Sequence, residues 1–185
     1  MLDVQPTAIP DVKLVRPQRF EDRRGFFVET YNRRRFAAVG IDEEFVQDNH
    51  SLSTAAGTVR GLHFQSNPYA QAKLIRVARG RILDIAVDLR RSSPTYGKHV
   101  AVELSAENGY QLYVPIGFAH GFCTLEPDTE VLYKVSAYYS AVHDRGVAFD
   151  DPALGILWPV DPYQAFLSDK DRRHPRLAEL PSYFV

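Results

Sequence analysis

Gly109-Tyr110-Gln111-Leu112-Tyr113-Val114-Pro115-Ile116-Gly117-Phe118-Ala119-His120 is the stretch that decides the fold. A glycine turn leads, after five residues, into a Pro-x-Gly-x-x-His strand. Upstream, five residues likewise separate Gly57 from His63. Around these segments the chain alternates apolar and polar residues in short runs, broken by turn residues, as all-β sandwiches and barrels do. Arg81, Leu83, Ile85, Val87 and Leu89 fall on one face of a strand, with Asp84 and Asp88 on the other. The first set reads as an inward row, as do Val100, Val102 and Leu104 on a second strand. Val131, Tyr133, Val135, Ala137 and Tyr139 make a third, which predicts Tyr133 and Tyr139 on the same side of one strand. Turn signals at Ala78-Arg79-Gly80, Ser93-Pro94, Glu107-Asn108-Gly109 and Pro127-Asp128 separate the runs.

Helix is scarce. Asn32 is placed to cap a short helix through Arg33, Arg34, Arg35 and Phe36, ending at Gly40. The arginine triplet reads as a solvated helix face. A second short helix is predicted near Asp169 to Leu180, interrupted by Pro175. So many strands with so little helix predict an all-β jelly-roll sandwich or barrel with a few short peripheral helices.

The 185 residues form one predicted domain over 1–185, long enough to bury a full core. Charged residues at 24% against 45% hydrophobic ones exclude a disordered chain. A net charge of −1 argues against a general nucleic-acid or membrane binder. No apolar run approaches bilayer length, and Met1 to Gln18 lacks the basic-then-apolar pattern of a signal peptide. The lone Cys123 reads as buried filler in a cytoplasmic protein. Arginine far outnumbers lysine. Guanidinium forks suit phosphate oxygens, but an arginine-favouring genome explains the bias equally well, so composition leaves the ligand open.

The two glycine-spaced segments match the two cupin motifs. In that superfamily the first motif supplies a His-x-His pair and a downstream glutamate as metal ligands. Here the second histidine is Gln65, and Lys73 stands where the glutamate belongs, with six residues between it and Gly80. Divalent metals in such barrels need neutral imidazoles and a carboxylate, whereas lysine brings positive charge. The expectation is a cupin barrel with no metal and no cofactor, its cavity given over to other chemistry.

Further strings carry a closer resemblance. Arg60-Gly61-Leu62-His63-Phe64-Gln65, Gln71-Ala72-Lys73-Leu74, the segment from Pro115 to Phe122 and Leu167-Ser168-Asp169-Lys170-Asp171 occur in this order. Asp22-Arg23-Arg24-Gly25-Phe26-Phe27-Val28-Glu29 and Gln47-Asp48-Asn49-His50-Ser51 precede or join them. Together, from about Val12 to about Pro175, they resemble the dTDP-4-dehydrorhamnose 3,5-epimerase family.

The resemblance implies a dTDP-linked 4-keto-6-deoxy sugar as substrate. Its C4 ketone acidifies the C3 and C5 protons. Inversion needs a base on one face, an acid on the other and a stabiliser for the enolate at O4. His63 is the implied base, since an imidazole with pKa of about 6.5 suits neutral pH. Asp171 would orient it as an aspartate does in a hydrolase triad, with Asp169 the alternative partner. Lys73 would hold the enolate oxygen. Tyr133, protonated at neutral pH, would act as the acid. Taken singly, each has a plain structural reading: a strand histidine, an exposed lysine, a core aromatic, a helix-start acid.

For substrate binding the resemblance assigns Arg24 and Arg60 to the diphosphate, with Lys170 nearby. Glu29, Gln47 and Asn49 would contact base or sugar, His120 the sugar or diphosphate, and Tyr139 the thymine or ribose. Asp144 occupies a position near the end of a Tyr138-Tyr139-Ser140 strand where the family usually has glutamate. A homodimer is implied, with N-terminal strands crossing to the partner so that Arg24 and Glu29 complete the neighbouring site. Two other functions stay open: inversion at C3 only or C5 only on a related sugar, and a non-catalytic sugar-binding jelly roll. The second has no use for His63, Lys73, Tyr133 and Asp171 together.

Overall fold

The computed structural model describes residues 2–185. The chain opens with β1 (Asp3–Gln5) and β2 (Lys13–Arg16), a hairpin of β3 (Arg19–Asp22) and β4 (Gly25–Val28), and helix α1 (Arg33–Ala37). There follow β5 (Gln47–Ser53), β6 (Val59–Gln65), β7 (Lys73–Arg79), β8 (Arg81–Asp88) and β9 (His99–Ser105). The last strands are β10 (Gln111–Val114), β11 (Phe118–Thr124), β12 (Thr129–Val135) and β13 (Asp144–Gly146). They form two antiparallel sheets, β1-β2-β10-β7-β12-β5 and β13-β6-β11-β8-β9, with β3 and β4 paired only to each other. This is the all-β jelly roll.

Three layers of apolar contact hold it. Between the sheets, Ile75, Val77, Leu112 and Val131 meet Ile82, Val100, Leu104 and Phe122. The outer face of the β6-β11-β8 sheet is covered by the C-terminal segment through Leu154, Leu177, Leu180 and Phe184. The outer face of the other sheet is partly covered by Phe36 and Ile41. Asn32 caps α1 by accepting from the Arg35 N–H, and the arginines of that helix are exposed while Phe36 is buried. Cys123 is buried, its thiol pushed up to about 11 by desolvation.

Two inward rows read from alternation are corrected. In β8, Leu83, Ile85 and Val87 face the C-terminal segment, while Ile82, Asp84 and Ala86 lie on the face turned toward the opposing sheet. Alternation separates two faces, but both faces of this strand are covered, so neither is marked as inner by polarity. The Val100–Leu104 row does face inward. In β12 the ladder stops at Val135, so Ala137 and Tyr139 lie beyond it and no strand spans Tyr138 to Ser140. Side chains take over the backbone there: Gln47 accepts from the Tyr139 N–H and Gln65 from the Ser140 N–H. The helix predicted over Asp169 to Leu180 resolves into two 3₁₀ turns, Asp171–Arg173 and Leu177–Glu179, on either side of Pro175.

A glycine contact sets the spacing at the centre of the second sheet. A Cβ on Gly61 would stand 2.6 Å from Gly121 Cα, and one on Gly121 would stand 2.7 Å from the Arg60 carbonyl oxygen. The β6–β11 register is irregular here, with His63 opposite His120 but Arg60 opposite Phe122. The irregularity changes the parity of β6, so Arg60 and His63 reach one cavity while Leu62 and Phe64 point the other way.

Candidate active site

A cavity of about 500 Å³ opens between the sheets, lined among others by Arg60, His63, Lys73, His120, Tyr133 and Asp171. His63 comes from β6 in one sheet and Tyr133 from β12 in the other, so the two side chains enter from opposing walls. Lys73 belongs to the Tyr133 sheet, and its Nζ donates to the His63 carbonyl at 3.1 Å.

His63 Nε2 lies 2.6 Å from Asp171 Oδ1. Asp171 begins a 3₁₀ turn and is anchored by its own N–H donating to Ser168 Oγ at 3.1 Å. Asp169 is exposed and makes no contact with His63, so the structure pairs Asp171 with the imidazole. Burial by itself raises the Asp171 pKa, but the His174 ring beside it and its contacts with His63 and Ser168 outweigh this and hold the carboxyl well below its ordinary range. Burial lowers the His63 pKa, and Asp171 opposes this only in part. The ring is therefore neutral at neutral pH, with one nitrogen committed to the carboxylate and the other available.

Desolvation pushes Lys73 down to about 8, against the pull of Asp144 and Asp84. At neutral pH it remains mostly a cation. Tyr133 is raised above its ordinary value by burial, so its hydroxyl keeps its proton. His120 forms a second buried pair, its Nε2 2.6 Å from Asp84 Oδ1. Arg60 is braced at the lip by Ser53 Oγ at 3.1 Å and the Leu52 carbonyl at 3.0 Å.

At the rim, Lys170 pairs with Asp144, which also accepts from the Tyr139 hydroxyl at 3.0 Å. Tyr139 is 59% exposed, not the inward strand residue its parity predicts. Asn49 sits opposite Tyr133 on β5, and Gln47 donates to Asn49 Oδ1 at 2.9 Å. Neither lines the His63 cavity. Arg24 and Glu29 are not brought to it at all: Arg24 is exposed on the β3–β4 turn against Asp22, and Glu29 pairs with Arg35. A larger recess of about 610 Å³ under that hairpin carries no histidine.

The donor set at the cupin ligand positions suits hydrogen bonding. Gln65 spends its amide on the Tyr69 and Tyr138 carbonyls and the Ser140 N–H, and Lys73 offers a positive charge to any approaching cation. His63, Asp171 and His174 do bring three donor atoms within 4.8 Å. The 2.6 Å separation of the first two is hydrogen-bond length.

Sequence reading missed Asp84 as the partner of His120, although a buried acid within an apolar strand was its signal. It missed Ser168 and Arg172 in the cavity wall and His174 behind Asp171, none of which carries a local signal.

Comparison with known proteins agrees with this geometry. The family model for dTDP-4-dehydrorhamnose 3,5-epimerase matches residues 6–179. The chain is 56% identical over 181 residues to the dTDP-4-dehydrorhamnose 3,5-epimerase of Sinorhizobium fredii, covering 97% of this chain and 92% of that protein. A crystal structure of the Bacillus anthracis dTDP-4-dehydrorhamnose 3,5-epimerase with TDP and PPi bound superposes with a TM-score of 0.92 at 53% identity, covering 95% and 99% of the two chains. A Legionella pneumophila dTDP-6-deoxy-D-glucose-3,5-epimerase in complex with dTDP-4-keto-L-rhamnose gives a TM-score of 0.94 at 39% identity, covering 98% and 96%. On fold, cavity and sequence together, the chain belongs to the dTDP-4-dehydrorhamnose 3,5-epimerase family.

Proposed function

We propose that this protein is an isomerase that inverts C3 and C5 of dTDP-4-dehydro-6-deoxy-D-glucose, giving dTDP-4-dehydro-L-rhamnose, without metal or redox cofactor. The observation that carries the reading is the opposition of His63 and Tyr133 across one cavity, with Lys73 reaching between their sheets. His63 removes the proton next to the ketone through its free ring nitrogen. Electrons move onto O4, where the buried Lys73 ammonium meets the developing charge. Tyr133 returns a proton to the opposite face and is reprotonated by solvent, while His63 gives its proton to solvent before acting at the second centre. Asp171 holds the His63 ring and supports the imidazolium.

Arg60, His120 and Lys170 line the cavity and suit the sugar and diphosphate, while Asp144 fixes Lys170 and Tyr139 at the mouth. Gln47 and Asn49 serve the nucleotide end. Arg24 and Glu29 act in the partner's cavity of a homodimer. In support, Phe20, Phe26 and Phe27 stand 54%, 58% and 69% exposed on a hairpin that pairs with no other strand. No helix among the described residues is long and apolar enough to cross a membrane. The free, buried Cys123 is consistent with the cytoplasm.

The deciding experiment is NMR of the dTDP-4-keto sugar incubated with enzyme in D₂O. Exchange and inversion at both C3 and C5 is the expected result. Inversion at a single centre replaces the reading with a mono-epimerase, and absence of exchange leaves a sugar-binding protein.

A further inference from the structure

His174 takes no part in the chemistry above, yet it is packed against the pair that does. Its side chain is only 8% exposed, and it follows Asp171 by one 3₁₀ turn. Its Nε2 stands 3.4 Å from Asp171 Oδ1, the same oxygen that meets His63 Nε2 at 2.6 Å. The two imidazoles lie edge to face, 5.4 Å between centroids and 79° between planes. Room for the second ring comes from Gly146, the residue opposite His63 on β13, where a Cβ would come within 2.4 Å of the His174 ring. His174 Nε2 is buried and has no hydrogen-bond partner, its 3.4 Å approach to Asp171 Oδ1 being a close contact without hydrogen-bond alignment.

We propose that His174 is a positioning residue: its otherwise unpartnered Nε2, held 3.4 Å from Asp171 Oδ1, supplies a second N–H to that carboxylate as it shifts with the His63 ring, steadying it on His63 and tempering its hold on the His63 proton. An imidazole fits this role because a neutral ring with Nε2 protonated offers one directed donor without burying a charge. His174 does not line the cavity, so it acts through Asp171 and not on substrate. Its proximity is among the influences that hold Asp171 ionised and among those that lower His63. The other charged or titratable groups facing His63 are Lys73 beside it, His120 on the paired strand, and Arg60, Tyr133, Lys170 and Arg172 around the cavity.

The inference rests on His63 as the base. His174→Phe keeps a ring against Gly146 but removes the donor, and His174→Gln offers an amide donor again. The Phe variant is expected to lose about three- to tenfold in kcat, the factor one net hydrogen bond represents. KM should be unchanged and the acid limb of kcat/KM moved to higher pH, with the Gln variant recovering part of both. Wild-type kcat and pH profile in the Phe variant, or no recovery in Gln, overturns the proposal. Histidine-ring ¹⁵N NMR on the unmodified protein decides the point independently of how the variants fold: His174 must carry its proton on Nε2, and an unprotonated Nε2 overturns it. Failure of the His63 assignment looks different, because the wild-type acid limb then fails to follow the His63 titration in the same spectra.

Discussion

Lys73 Nζ donates to the main-chain carbonyl of His63 at 3.1 Å, tying the cavity's cation to the strand that carries its imidazole. The proposed mechanism uses the two side chains in opposite protonation states, Lys73 charged and His63 neutral, and burial pulls both pKa values downward.

A bell-shaped profile of kcat/KM follows. His63 must be unprotonated, so the acid limb lies below its ordinary value of about 6.5. Lys73 must be protonated, so activity falls as pH rises through about 8. Tyr133, raised by burial, still holds its proton there. Lys73→Arg keeps its charge and should lose the limb near 8; a limb that stays in place belongs to another group.

Tyr133→Phe keeps the ring between the sheets and deletes the acid. Inversion should fall by about 10²–10⁴-fold, while His63 continues to exchange deuterium into the sugar with retention of configuration. His63→Ala should abolish both. Stereochemistry and deuterium content of recovered sugar are the measurement, and near-normal inversion by Tyr133→Phe removes it from the mechanism.

Asp171→Asn should damage kcat far more than Asp169→Asn, because only Asp171 reaches His63. The loss should stay below the factor of about 10⁴ known for a triad aspartate, since in the proposed mechanism Lys73 supplies much of the stabilisation. Because the folded carboxyl sits below its unfolded pKa, its stabilisation is fully present above pH of about 4 and fades as pH falls further. Urea titrations of wild type and Asp171→Asn should therefore converge in acid.

Gly121→Ala tests the glycine contact that spaces β6 and β11. Its backbone has no positive φ, so the effect is one of overpacking alone, against the Arg60 carbonyl at 2.7 Å. A loss of about 1–3 kcal/mol in unfolding free energy is expected, with activity reduced because His63 and His120 ride on the displaced strands. Wild-type stability and activity together would show that the sheet opens there at little cost.

Exhaustive chelation should leave activity intact, given the commitments of Gln65 and the charge on Lys73. Activity lost to chelation and restored by one divalent ion contradicts this.

The jelly roll was legible because Gly57 and Gly109 each lead, at fixed spacing, into a histidine strand, and because alternating runs demand two packed sheets. That Gln65 and Lys73 stand at the cupin ligand positions was equally plain, as was Asp171 beside Lys170. Such features are local: each depends on residue type and short spacing, which the chain carries into any fold it adopts. Long-range register was not legible. Tyr139 kept the parity of Tyr133 on paper, but the ladder ends at Val135 because Gln47 and Gln65 capture the backbone beyond it.

By itself, then, the sequence determined the two-sheet architecture and offered His63 and Tyr133 as the candidate base and acid, with Gln65 and Lys73 at the cupin ligand positions. Only the tertiary structure decided which face of β8 meets the opposing sheet, that Asp84 serves His120, and that His174 shares Asp171 with His63. The reason is that a strand covered on both sides gives no polarity cue to its inner face. A pairing between β8 and β11, or between β13 and β6, exists only once the whole sheet has set its register.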